Sequence, residues 1–342
     1  MNDKKPAQAK IGGQALFEGI MMRGEAKAAM AVRKKDGSVH VNEWVLPKKR
    51  WYQKTFFIRG IFNFVLQLRD GYKYMMQSAE ISGVFDEEEE PESRFEKWLV
   101  EKLGDKLMTV VMGIGVTLGI FLALFLFMFL PTWIAAAVGK FLTTSVTWEP
   151  LIAGIIRIII FIAYMYFTSF MKDIHRTYEY HGAEHKTIAA NEAGLDLTVE
   201  NVRGCSRFHP RCGTSFIFLV LAISIIFHSI MSINTVMPIN RESISSLTGL
   251  ENAFVVTSIL SFVRILFLPI LVGISYEVLK LAGRYDKNII MRIISAPGLG
   301  IQRLTTKEPD DAQIEIAIAS FLPVLPGYVP PEPIISDEPS GE

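Results

Sequence analysis

Apolar residues in this chain gather in long unbroken runs instead of the short periodic groups of a soluble protein. From Leu107 to Gly139 there is no charged residue, and Met108 to Leu130 is almost wholly Leu, Phe, Val, Ile, Met and Gly. About 20 apolar residues are enough to cross the hydrocarbon core of a bilayer. Similar runs extend from Leu151 to Phe170 with Arg157 inside, from Ser215 to Val236 with His228, and from Ala253 to Tyr276 with Arg264. Buried helices of soluble domains seldom exceed about 14 unbroken apolar residues, so the pattern predicts four transmembrane helices.

The polar intervals set an expected orientation. Pro131 to Pro150 holds only Lys140, and Pro238 to Asn252 only Arg241, whereas the interval after the second run holds Lys172, Arg176, Lys186, Arg203, Arg207 and Arg211. Lys280, Arg284, Lys287 and Arg292 follow the fourth run. Basic residues stay on the cytoplasmic side, which predicts a multi-pass plasma-membrane protein with both termini and the central loop inside.

Ahead of the first run the period changes to two. Ala28 to Arg33 and Ser38 to Trp44 flank Lys34-Lys35-Asp36-Gly37, and Asp-Gly between strand-like runs signals a hairpin. Phe56 to Ala79 then places Arg59, Asn63, Gln67, Asp70, Lys73 and Gln77 at steps of three and four. That is a narrow polar stripe on a helix, suited either to the membrane interface or to packing on the bundle.

The expected organisation is an α+β membrane protein. Residues 1–55 form a cytoplasmic Gly-rich segment and β-hairpin, 56–80 an amphipathic interfacial helix, and 81–106 an acidic linker around Asp86 to Glu90. Residues 107–276 form the four-helix transmembrane domain with a cytoplasmic metal-binding loop at 171–214. Residues 277–322 form a cytoplasmic helical segment, its last helix beginning after Glu308-Pro309-Asp310-Asp311, and 323–342 a Pro-rich disordered tail.

Composition agrees with the pattern: of 342 residues 50% are hydrophobic and 20% charged, with mean hydropathy +0.30. Thirty-five basic residues balance thirty-five acidic ones, so no cationic surplus points to nucleic acid. Two cysteines cannot build a disulfide framework. Met1 to Lys10 lacks an apolar run, so no cleavable signal peptide is expected. Arg157, His228 and Arg264 stand within the apolar runs without an Asp or Glu, which argues against a proton or cation pathway.

Candidate chemistry concentrates in the central loop. Lys172 to Ala193 reads as a helix capped by Gly194, and it carries His181-Gly182-Ala183-Glu184-His185. Residues four apart share a helix face, so both imidazoles can reach one ion with Glu184 beside them. The order H-x-x-E-H is that of the inverted zinc-hydrolase motif, in which two His bind zinc and the Glu handles the proton of the activated water. A polar helix face with two solvated histidines is the plainer alternative. Downstream, Cys205, His209 and Cys212 gather around Pro210; imidazole and thiolate together suit zinc. Gly12 to Gly24 is either a loop folding over this site, with Glu18 as a further acid, or a structural turn into the hairpin, the commoner use.

Ile11 to Gly24, Tyr180 to Lys186, Phe208 to Phe216 and Glu308 to Asp311 resemble segments of the YqhQ-like family of bacterial multi-pass membrane proteins. The resemblance covers nearly the whole chain, and its motifs are long enough to be specific. It implies a family of unknown function, described as predicted metal-dependent enzymes. His181, Glu184, His185, His209 and Cys212 fall in the matching segments; Cys205 does not. Two functions follow as expectations. One is a zinc-dependent hydrolase with metal ligands among His181, His185, His209 and Cys212 and Glu184 as general base. The other is a non-catalytic factor whose structural zinc site supports docking of a partner in membrane-protein insertion or quality control. Three protein ligands favour the first and four the second.

Overall fold

The computed structural model describes residues 11–84, 102, 107–142, 148–210, 212–232, 239–285 and 288–328. The expected acidic run at Asp86 to Glu90 lies outside them. The described chain is mostly helical, with one four-stranded antiparallel sheet of order β1-β2-β3-β4: Gly12–Leu16, Gly19–Arg23, Lys27–Arg33 and Val39–Val45. The hairpin expected at Lys34 to Gly37 is β3–β4, and Gly37 takes the left-handed backbone that its turn needs (φ 82°). Gly12 to Gly24, expected to be a turn or covering loop, is instead a second hairpin, turning at Phe17 and Glu18.

Period-two alternation sends the two faces of the sheet to different helices. Ile20, Met22, Ala29 and Ala31 pack with Tyr180, Ala183 and Ile188 of one helix and Ile316, Ala317 and Phe321 of another. Leu16, Met21, Ala28, Met30 and Val32 face Tyr74 on the opposite side. The helices concerned are α1 (Ile58–Ser82) on that side, and α5 (Lys172–Ala193) and α12 (Asp311–Phe321) on the other. Asp310 caps α12 with a reciprocal Gln313 bond, and Gly194 ends α5 in the left-handed region (φ 71°). Pro323 and Val324, expected in a disordered tail, are buried beside Phe321 and the sheet. Their apolar surface is better covered there than in water, and residues 329–342 lie outside those described.

Among the described residues three helices are long and apolar enough to cross a membrane: Gly113–Gly139, Glu149–Thr168 and Gly213–Met231. A fourth is reached only if Arg241–Thr248 and Ala253–Ile265, bent by 106°, count as one. In chain order the helices between α1 and α12 are α2 (Leu107–Leu124), α3 (Leu130–Leu142), α4 (Glu149–Thr168), α5, and α6 (Val199–Arg203). They continue with α7 (Gly213–Met231), α8 (Arg241–Thr248), α9 (Ala253–Ile265), α10 (Leu268–Arg284) and α11 (Ile289–Thr305).

Two proline effects revise the expected spans. Pro131 to Leu142, expected as a loop, continues the first run as a helix through a π-turn at Phe125–Phe129. Pro131 has no N–H for the carbonyl of Phe127 four residues back, and the wider turn accommodates its ring. Arg157 Nε donates to that carbonyl at 2.6 Å, which ties α4 to the widened turn. The run Ala253 to Tyr276 is not one helix: it breaks at Leu266 and Phe267, because Pro269 near the start of α10 cannot continue the bonding of the preceding turn.

The first half of helix α1 is packed inside out. There Arg59 ion-pairs with Glu277 and Asn63 donates to Tyr276 Oη at 3.1 Å, while Gln67 and Lys73 of the same stripe are exposed. Phe62, Val65, Leu68 and Tyr72 are each 43% exposed or more. A soluble protein buries the opposite face.

Gly182 sets how closely the chain approaches α5. A Cβ there would lie 1.9 Å from the carbonyl oxygen of Lys307, a backbone atom that cannot swing away. Gly182→Ala is therefore expected to destabilise the protein by at least about 1–3 kcal/mol, the range for overpacking. Thermal unfolding of the purified variant checks this; an unchanged midpoint would show that residues 305–309 do not pack as described.

Candidate metal centre

Helix α5 is polar in sequence yet largely buried: Glu184, His185, Lys186 and Thr187 are each 5% exposed or less. Every such group needs a partner within the protein. Thr187 Oγ1 donates to the Ala183 carbonyl at 2.8 Å. Lys186 Nζ donates to the Arg203 carbonyl at 2.9 Å and ion-pairs with Glu308 at 2.8 Å. Arg207 shares Glu308 at 3.3 Å. Backbone carbonyls on two separate segments receive the imidazoles. His181 Nδ1 lies 2.8 Å from the Thr305 oxygen, and His185 Nδ1 lies 2.6 Å from the Arg207 oxygen.

Those two bonds fix the tautomer of the neutral rings. A carbonyl only accepts, so in a neutral imidazole Nδ1 carries the proton and Nε2 keeps the lone pair. Cys212, at the start of α7, brings its Sγ to 3.3 Å from His181 Nε2. One ligand atom from each of His181, His185 and Cys212 lies within 4.8 Å of the other two, so the three could hold a metal ion. Bonds of about 2.0–2.3 Å to a common ion place ligands at this kind of separation. Second-shell carbonyls orienting ligating imidazoles are the usual support of such a centre.

The other expected residues sit around this group. Glu184 is buried beside it, outside the three-residue set, and burial pushes its carboxyl upward against the opposing pull of His181, His209 and the Gly13 N–H. A Cβ on Gly13 would stand 2.9 Å from the Glu184 carboxyl carbon, so strand β1 forms a close wall over it. Burial also lowers His185 and His209, which favours the neutral imidazole that metals bind. His209 is not in the ligand group: its Nε2 lies 3.3 Å from a Glu192 carboxylate oxygen. Cys205 stands apart as well, with its Sγ on the Asn201 carbonyl at 3.3 Å. Glu18 is engaged by Arg176 and by Tyr180 Oη, at 3.2 Å for the latter, farther up α5.

Two positioning residues escape the motif reading. Gln302 is fully buried on α11, accepts from the His209 N–H at 2.9 Å and donates to the His209 carbonyl at 2.8 Å. No local spacing announces it. Glu192 carries a signal that the motif reading passes over: residues 181, 185, 188 and 192 follow the i, i+4, i+7, i+11 rule of one helix face.

Comparison with known proteins agrees with the motif resemblance. The family described as "Protein of unknown function (DUF1385)" matches residues 56–326. The protein described as "Uncharacterized protein YqhQ" of Bacillus subtilis (strain 168) is 32% identical over 319 residues, covering 92% of each chain. No solved structure matches the chain.

His181→Ala, His185→Ala and Cys212→Ser are each expected to reduce bound metal at least about tenfold, because losing one ligand removes a bond and the geometry of the rest. Cys205→Ser is expected to leave it unchanged. Elemental analysis of detergent-purified protein reads the stoichiometry; equal metal in wild type and the His181→Ala/His185→Ala double variant would eliminate the centre.

Proposed function

This chain belongs to the DUF1385 family of proteins of unknown function, and we propose that it is a polytopic plasma-membrane protein with a zinc-dependent hydrolytic centre on its cytoplasmic face. The observation that carries the reading is the three-ligand group of His181, His185 and Cys212 with both Nε2 lone pairs left available. Two nitrogens and a sulfur suit zinc, and three protein ligands leave a fourth position for water. When bound, the ion supplies Lewis acidity. Glu184, next to His185 in sequence and walled by Gly13, is then the base that takes a proton from water. The Nδ1–H bonds hold both rings in place while that proton moves.

The membrane reading draws support from the apolar helices and from the outward apolar face of α1. Basic residues on the connections orient the centre to the cytoplasm. Cysteines introduced in 195–210 are expected to react with a membrane-impermeant reagent only after cells are opened. Those introduced near Gly249 are expected to react in intact cells. Labelling of the first set from outside would reverse the orientation and the proposed compartment together.

One observation favours a second reading, a non-catalytic factor with a structural zinc site that docks a membrane-protein partner. His185 is 2% exposed and Glu184 5%, little surface for a substrate to reach. Glu184→Gln separates the two. A general base cannot be replaced by an amide, so a hydrolase keeps metal and protein level yet loses function by about 10²-fold or more. Complementation in a host lacking its own family member, read beside protein level and zinc content, gives the answer. Full complementation at normal zinc would leave the docking factor as the account.

A further inference from the structure

A second group of ionisable side chains lies among the apolar helices. Arg157 on α4, His228 on α7 and Arg264 on α9 are within electrostatic reach of one another. The packing that brings them together includes a close crossing of α4 and α7, where a Cβ on Gly154 would meet the Ile225 side chain at 2.3 Å. Arg157 and His228 each follow that crossing by three residues. Glu149, at the start of α4, reaches Arg264 but is ion-paired to Arg241 at 2.9 Å. The neighbouring Glu242 is exposed. Among the described residues, the carboxylate that reaches Arg264 is therefore half-buried and already paired with Arg241.

Hydrogen bonding is equally incomplete. Arg157 uses Nε on the Phe127 carbonyl, which accounts for one of its five N–H groups. No acceptor among the described residues bonds its Nη atoms or any nitrogen of Arg264. His228 is 8% exposed, and its Nε2 has no partner. Charges inside an apolar bundle are costly unless neutralised and hydrogen-bonded. An oxyanion would do both.

We propose that Arg157, Arg264 and His228 form a binding site for a phosphate-class oxyanion within the helix bundle. Guanidinium forks bind phosphate oxygens in pairs, and His228 Nε2 offers a further contact for the remaining oxygen. Arg157 and Arg264 are both partly exposed on the helix surface, so the group can arrive as a lipid headgroup or as free phosphate. This inference shares with the proposed function only the insertion of these helices, which the labelling experiment tests separately; it does not depend on the metal centre.

The test uses full-length protein in nanodiscs. In phosphatidylcholine with a minor fraction of phosphatidylglycerol, native mass spectrometry reads retained anionic lipid. In phosphatidylcholine alone, thermal unfolding reads stabilisation by added inorganic phosphate. Retention of one phosphatidylglycerol per chain assigns a headgroup; stabilisation by phosphate assigns the free anion. Arg264→Gln is expected to weaken whichever is seen at least about tenfold, the size of a charge-assisted bond, while Arg264→Lys keeps most of it. If Arg264→Gln does not accumulate, His228→Leu serves instead, since it removes the orphaned nitrogen and keeps both cations. Folded wild type that binds neither probe overturns the proposal, as does undiminished binding by the folded variant.

Discussion

The arrangement of this protein depends on burying a run of polar side chains on one helix. Glu184, His185, Lys186 and Thr187 of α5 are withdrawn from water together, and an unpaired buried group costs on the order of 1–3 kcal/mol, more when charged. Satisfying them recruits segments far apart in sequence. Arg203 at the end of α6 and Arg207 in the loop after it supply carbonyls, Glu308 supplies a carboxylate, and Gly13 supplies an N–H from the first strand. The sheet, the central loop and the C-terminal helices are thus held against one helix by polar requirements as well as by their shared apolar core. The candidate metal ligands come together through the same arrangement, because the carbonyls that satisfy Nδ1 are what turn the two imidazoles toward Cys212.

Legibility in the sequence followed the range of the interaction concerned. The β3–β4 hairpin, α5 with its Gly194 cap and the Asp310 cap of α12 depend on residues a few positions apart, and local pattern shows them. His181, His185 and Cys212 were nameable because spacing and residue type carry the chemistry. Strands β1 and β2 were not, since Gly12, Gly13 and Gly19 read as turn residues; Gly19 is there because a side chain would strike the Ala31 carbonyl of β3. Gln302 clamps His209 from 93 positions away, a relation that no local window contains. Pro131 and Pro269 were visible, but whether a proline ends a helix, bends it or widens one turn depends on what receives the freed carbonyl.

Helix α1 shows why an amphipathic pattern alone does not give orientation. Its stripe of Arg59, Asn63 and Gln67 defines two faces, yet either can be the buried one. Arg59 finds Glu277, and Asn63 finds Tyr276. With those partners inside, the apolar face is left outward, the arrangement favoured when the surroundings are lipid and helices associate through polar bonds and small residues. Gly60 against Gly273 and Tyr276 is the small-residue contact that lets α1 and α10 approach.

His209 explains why a motif set can exceed a ligand set. It lies next to His185, with ring centroids 5.7 Å apart, and from the sequence it is as good a ligand as any. Its backbone is held on both sides by Gln302, and its Nε2 faces Glu192. Moving that ring into the ligand group would exchange a hydrogen bond to a carboxylate for a bond to an ion. The geometry thus separates a three-ligand group from a neighbouring imidazole that borders the same buried space. With Glu184 on that border as well, two titratable groups stand beside the candidate ligands without being among them, and it is on such groups that the proposed proton transfer would draw.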